Sequence, residues 1–246
     1  MPPLLPQPSS PALRFRPADG RFHSQLDWLD SRHSFSFADH HDPAWMGFGP
    51  LRVINDDVIA AGKGFGLHPH RDMEIVTVMV EGDLSHRDSL GHQAVLRAGE
   101  VQRMSAGTGV LHSEWNEGNG PCRLLQIWIE PERRGLAPAY EQKPFACGAG
   151  WTPLLDPERG NGALAIARRV WLWRARPAAG ERLSLPTVAA GSFWLQLIEG
   201  SVRHGGDAAA LPAELSRGDG LGFVAEQLGE LVAGSAGADL LLFALT

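Results

Sequence analysis

Residues 68–86 read HPHRDMEIVTVMVEGDLSH, and residues 192–204 read SFWLQLIEGSVRH. The first stretch runs from a histidine pair into an apolar run rich in β-branched residues, then a Glu-Gly turn, then a second short strand. The second stretch repeats the run, the turn and the closing histidine. An offset of 118 carries Gly82 onto Gly200 and His86 onto His204. Farther on, Gly99-Glu100 answers Gly218-Asp219 at an offset of 119, and Leu124-Leu125 corresponds to Leu241-Leu242. Several matches at nearly one offset describe two similar β-domains in tandem.

The rest of the chain supports an all-β reading. Its 29 glycines and 18 prolines fall between short apolar runs, as turns fall between the strands of a sandwich or barrel. The clearest strands are expected over residues 51–55, 74–80, 94–96, 124–129, 164–173, 193–198, 221–224 and 240–244. With 246 residues, 43% of them hydrophobic, the chain can hold two cores of roughly 100–120 residues each. Residues 1–12, MPPLLPQPSSPA, read as a disordered tail. A first domain is expected over residues 13–135 and a second over 151–246. Residues 136–150, with Pro138, Pro144 and two glycines, are expected to be a linker.

Composition narrows the function classes. The net charge of −6 and the lack of a Lys/Arg run give no electrostatic footprint for nucleic acid or an anionic membrane. No apolar run approaches a membrane span, and the N-terminus does not read as a signal peptide, so a cytoplasmic protein is expected. Cys122 and Cys147 are not in a CxxC pair, which leaves out a zinc knuckle or a dithiol motif. There is no P-loop and no Gly-x-Ser-x-Gly elbow. Gly62-Lys63-Gly64-Phe65-Gly66 leads into a strand with Pro69 close behind, not into the helix a dinucleotide loop needs.

The chemistry concentrates between Gly62 and Asn116. Strand side chains alternate between faces, so His68 and His70 point the same way, and so do His112 and Glu114. Two strand segments, each offering two donors to one interior, can enclose a metal. Imidazole and carboxylate donors suit Fe(II), Mn, Ni, Co, Cu or Zn. Glu74 shares parity with His68 and His70 and is an alternative carboxylate. His40-His41, between Asp39 and Asp42, reads as a solvated turn rather than a second cluster. His33, Phe35, Phe37, Trp45 and Phe48 either line the pocket or pack, and the eight tryptophans are expected mainly in the core.

HPHRDMEIVTVMVEGDLSHRDSLG, followed by AGEVQRMSAGTGVLHSEWN, resembles the signature of the pirin-like bicupins, closest to the bacterial quercetinase type. The upstream RHSFSFADHHDPAWMGFGPLRVINDDVI is similar to the family's opening strands. The likeness runs from about Leu13 to the C-terminus. It implies two tandem cupin (β-barrel, jelly-roll) domains and one divalent metal, Fe(II) in the first instance. It implies His68, His70, His112 and Glu114 as ligands, with Glu114 also the catalytic base. The position of Glu74 supplies the carboxylate in many other cupins, while the HSE element favours Glu114. The longer spacings before Gly82 and before His112 agree with the pirin branch.

The same resemblance implies a dioxygenase that takes a flavonol and O2 and releases carbon monoxide. The alternative it carries is a metal-responsive regulatory protein, as animal pirins are regarded. At the repeat offset, His68 and His70 fall on Pro186 and Val188, so the second domain is expected to hold no metal. Two barrels in one chain already make the bicupin arrangement, so a monomer is expected.

Overall fold

The structure is a computed structural model describing residues 13–206 and 211–246. The tail expected over residues 1–12 lies outside the described residues. The first half of the chain forms β1 (Arg14–Arg16), β2 (Phe22–Gln25), β3 (Leu29–His33), β4 (Leu51–Ile59), β5 (Lys63–His70) and β6 (Glu74–Glu81), then β7 (Asp83–Asp88), β8 (Gln93–Arg97), β9 (Glu100–Ser105), β10 (Val110–Asn116), β11 (Cys122–Ile129) and β12 (Ala139–Pro144). The second half forms β13 (Thr152–Leu155), β14 (Val170–Ala175), β15 (Arg182–Leu183), β16 (Ser192–His204), β17 (Glu214–Ser216), β18 (Gly220–Phe223) and β19 (Leu231–Leu245). Apart from these strands, the described regular elements are short 3-10 turns. The fold is all-β, as the apolar runs and turn residues predict.

Three sheets carry the architecture. A seven-stranded sheet has the order β12-β9-β6-β11-β4-β3-β2, and a four-stranded sheet has the order β5-β10-β7-β8. Leu84 and Leu96 of the small sheet pack on Ile59, Met79 and Leu124 of the large one, so the two face each other around the first core. The third sheet follows β1-β18-β16-β19-β14-β13, with β15 and β17 alongside.

Alternation along β11 explains how the halves join. Leu124 points into the first barrel, whereas Leu125, Ile127 and Ile129 point out of it. That outward face is not left to water. It packs against Leu172, Trp194, Leu241 and Phe243 of the second half in one continuous buried cluster. The central strands β6 and β11 are therefore buried on both faces, which is why they read as nearly unbroken hydrophobic runs.

Three expectations are corrected. Residues 139–144, read as linker, form β12 and pair with β9 from Ala139↔Ser105 to Pro144↔Glu100. This segment closes the edge of the large sheet, satisfying backbone groups that a free linker would leave to water. Arg14–Arg16, read as part of the first domain, pairs with β18 of the second, Phe15 opposite Leu221. The strand expected from residue 164 begins only at Val170, and Leu164 makes a single bridge to Leu155. Of the eight tryptophans only Trp173 and Trp194 are buried, and the others are half-buried or exposed.

Candidate metal centre

β10 alternates strictly. Val110, His112, Glu114 and Asn116 are buried, whereas Leu111 and Trp115 face outward. β5 flanks it on one side, with His68 opposite His112. The register between the two strands shifts so that Phe65, not residue 66, lies opposite Glu114. A bulge of this kind places an extra residue in β5 and turns the strand locally, which re-aims the histidine pair. Gly64 permits the approach: a Cβ there would meet the Glu114 carbonyl oxygen at 2.2 Å.

His68, His70 and His112 come together. Ring centres lie 4.4 Å apart for His68–His112 and 4.8 Å for both His68–His70 and His70–His112. One nitrogen from each lies within 4.8 Å of the others. His68 donates from Nδ1 to the Gly66 carbonyl at 2.7 Å, which leaves Nε2 free to face the group. His112 is fully buried, and neither of its ring nitrogens has a hydrogen-bond partner. Burial, with neighbouring histidines adding to it, pushes the His70 pKa down to about 4 and that of His112 down to about 3. Both imidazoles are neutral at pH 7, each with one ring nitrogen free of a proton to offer its lone pair.

Glu114 is placed differently from the expectation of a single tight set of four. Its carboxylate groups within 4.8 Å of His112 and His86, not with all three of the other histidines. Gln126 Nε2 donates to its two oxygens at 3.3 and 3.0 Å, and Thr77 Oγ1 donates to Gln126 Oε1 at 3.2 Å, which fixes the amide. Neither Gln126 nor Thr77 stands out in the sequence. Both lie inside apolar runs, at positions whose parity faces the barrel interior, and parity is the signal that could have found them.

Glu74 lies on the other face of its strand. It pairs with Ile129, whose side chain belongs to the core between the halves. Its Oε2 accepts from Ser105 Oγ at 2.8 Å and from the Ala167 amide at 3.5 Å. Burial raises its pKa. The turn at Arg71–Met73 resets the alternation, so parity with His68 and His70 does not carry across it.

The walls of the site are aromatic. Trp128 meets His70 edge-on at 4.9 Å, and Phe37 meets Trp128 at 5.4 Å. Phe35 and Phe48, by contrast, pack on Trp194 between the halves. His33 donates from Nδ1 to Asn55 at 2.8 Å, and Ser24 lies 2.9 Å from its Nε2. His40 also bonds Ser24, and Asp42 caps a 3-10 turn at Ala44. Among the described residues the His40-His41 segment forms no metal-sized group, and neither does any part of the second half.

A groove of about 400 Å³ that includes Pro69, His70 and Arg71 borders the cluster from the solvent side. Among the described residues, no helix is long and apolar enough to cross a membrane.

Comparison with known proteins agrees with this architecture. The pirin family profile matches residues 15–129, and that of the quercetinase C-terminal cupin domain matches residues 154–245. The chain is 43% identical to quercetin 2,3-dioxygenase of Escherichia coli over 231 residues, 94% of this chain and 97% of the relative. The crystal structure of YhhW from Escherichia coli matches with a TM-score of 0.88 at 41% identity, covering 96% of this chain and 98% of that one. The structure of bacterial pirin YhhW in complex with nickel(II) matches with a TM-score of 0.87 at 42% identity, covering 95% and 99%. With both halves matched and nearly the whole length aligned, the chain belongs to the pirin family, among its quercetin 2,3-dioxygenase-like bicupins.

Proposed function

We propose that this protein is a metal-dependent dioxygenase that opens the ring of a quercetin-type flavonol and releases carbon monoxide. The observation that carries the reading is the convergence of three imidazoles on one inward sheet face, with a hydrogen-bonded carboxylate beside them. The residues fit a metal. His112 is buried with both nitrogens unpartnered, a state that leaves its polar atoms uncompensated unless something binds them. His68, His70 and His112 would hold the ion, with Glu114 as the carboxylate. The donor set suits Fe(II), our assignment, and equally Mn, Ni, Co, Cu or Zn.

When bound, the ion would supply Lewis-acid chemistry toward an oxygen donor and O2. The chain's own residues do the rest. Trp128 and Phe37 give a flat aromatic substrate an apolar wall next to His70. Glu114 accepts the proton of the flavonol 3-hydroxyl. Gln126, itself held by Thr77, fixes the carboxylate by donating to it, so its orientation is set before substrate arrives. Overall, one flavonol and one O2 give one depside and one carbon monoxide. General-base transfer contributes about 10²–10⁴-fold, so Glu114→Ala should lose at least that much.

The test is to strip the protein of metal and reload it separately with Fe(II), Mn, Ni, Co and Cu. Quercetin loss and carbon monoxide release are then followed under oxygen. Metal-dependent carbon monoxide release that disappears in Glu114→Ala supports the reading and selects the ion. Full occupancy with no turnover for any ion would refute it. His70→Ala should abolish stoichiometric binding in a folded protein, and retained occupancy would remove His70 from the ligand set.

A further inference from the structure

His86 and Asp88 take no part in the reading above. They lie on β7, which flanks β10 on the side away from β5, in register with Glu114 and His112 respectively. Both side chains are almost wholly buried, 1% and 0% exposed. Asp88 accepts from His86 Nε2 at 3.2 Å and from His92 Nδ1 at 2.9 Å. It also accepts from the backbone amides of Leu90 and His92, at 2.9 and 3.0 Å.

Both Asp88 oxygens are taken up as acceptors, two of the donors being backbone amides, so His86 donates from Nε2 and the neutral ring presents its lone pair on Nδ1. That Nδ1 is buried and meets no donor in the protein. His86 lies within 4.8 Å, ligand atom to ligand atom, of both His112 and Glu114. Tyr140 packs over His86 and His92, at 4.8 Å from each ring centre, and holds the imidazole plane. The Tyr140 hydroxyl donates to Gln142 Oε1 at 2.7 Å, which fixes the ring against His86. Buried polar atoms without partners are uncommon and call for something that enters to satisfy them.

We infer that His86, oriented by Asp88, is a positioning residue whose Nδ1 accepts a hydrogen bond from a hydroxyl of the flavonol drawn in beside Glu114. An imidazole tied through its far nitrogen to a carboxylate has one fixed tautomer and one fixed direction of acceptance. The inference rests on the histidine cluster being the metal centre, but it leaves the proposed ligand set unchanged.

The test uses full-length nickel-loaded protein without oxygen, so that quercetin binds without turning over. Binding is read from the flavonol absorbance. His86→Leu removes the acceptor, His86→Asn keeps an amide oxygen near the Nδ1 position, and Asp88→Asn removes the orienting anion at nearly constant volume. All three should bind nickel with wild-type stoichiometry. His86→Leu and Asp88→Asn should weaken quercetin binding about tenfold, and His86→Asn should recover most of that.

Wild-type quercetin affinity in a folded His86→Leu or Asp88→Asn protein would overturn the inference. So would equal loss in the Asn and Leu variants, which marks a structural role. Loss of nickel in the His86 variants would also overturn it, by making His86 a ligand. If His86→Leu fails to fold, the comparison of Asp88→Asn with His86→Asn decides. A wild-type protein that takes up no nickel or no quercetin fails at the underlying reading instead, and takes this inference with it.

Discussion

Glu74 and Glu114 show how one residue's environment decides its role. Both are buried carboxylates near histidines in sequence, yet they lie on opposite faces of the barrel wall. Glu74 faces the core between the halves and takes its hydrogen bonds from Ser105 and Ala167. Glu74→Gln should therefore leave metal occupancy at the wild-type level. Gln126→Leu frees the Glu114 carboxylate and should lower metal affinity about tenfold or more. Competition with a chelator measures both, and equal effects of the two would refute the facial assignment.

Asp57 is a second buried carboxyl, held by Ser31, with burial and then the charges of Asp56 and Glu114 lifting its pKa from 3.8 to about 7. Between those values the folded protein keeps a proton that the unfolded chain has released. Stability contributed at this site therefore falls as pH rises through the window, up to about 4 kcal/mol by the top of it. Asp57→Asn removes that dependence. In urea titrations of metal-free protein, the variant should gain on the wild type at about pH 8 and match it at about pH 4. An unchanged difference at the two pH values would refute the assignment.

At the scale of the element, the Glu-Gly turns explain why the repeat is visible at all. Gly82 has φ 72° and Gly200 has φ 68°, the left-handed region that glycine enters without strain. At Gly200 a Cβ would also sit 2.1 Å from the Gly237 carbonyl oxygen, so the neighbouring backbone would have to move. Gly200→Ala should cost about 2 kcal/mol or more, measurable as a lower urea midpoint. The bulge in β5 is the opposite case. Nothing in GFGLHPH marks it, because a bulge depends on the partner strand it is read against.

For the whole molecule, the main consequence is that the halves share a core. Trp194 is fully buried, with ring centres 4.8 Å from Phe35 and 5.4 Å from Phe48 of the first half. Trp194→Ala should cost about 3–5 kcal/mol and lower the stability of both halves together. A single calorimetric transition, shifted as one in the variant, is expected. Two transitions, only one of which shifts, would show that the halves unfold separately.

The all-β class, the tandem repeat and the candidate donors His68, His70, His112 and Glu114 were legible in the sequence. Each rests on a local rule, whether the period of two, the glycine a turn demands, or the donor chemistry of a side chain. Parity failed where the chain turns, at Arg71–Met73, so it could not separate Glu74 from Glu114. Local rules also could not show β12 closing the large sheet, β1 crossing to the other half, or Gln126, Thr77, His86 and Asp88 converging on the site. Those depend on which strands lie side by side and which face meets which, and strand pairing between distant segments is settled only when the whole chain packs.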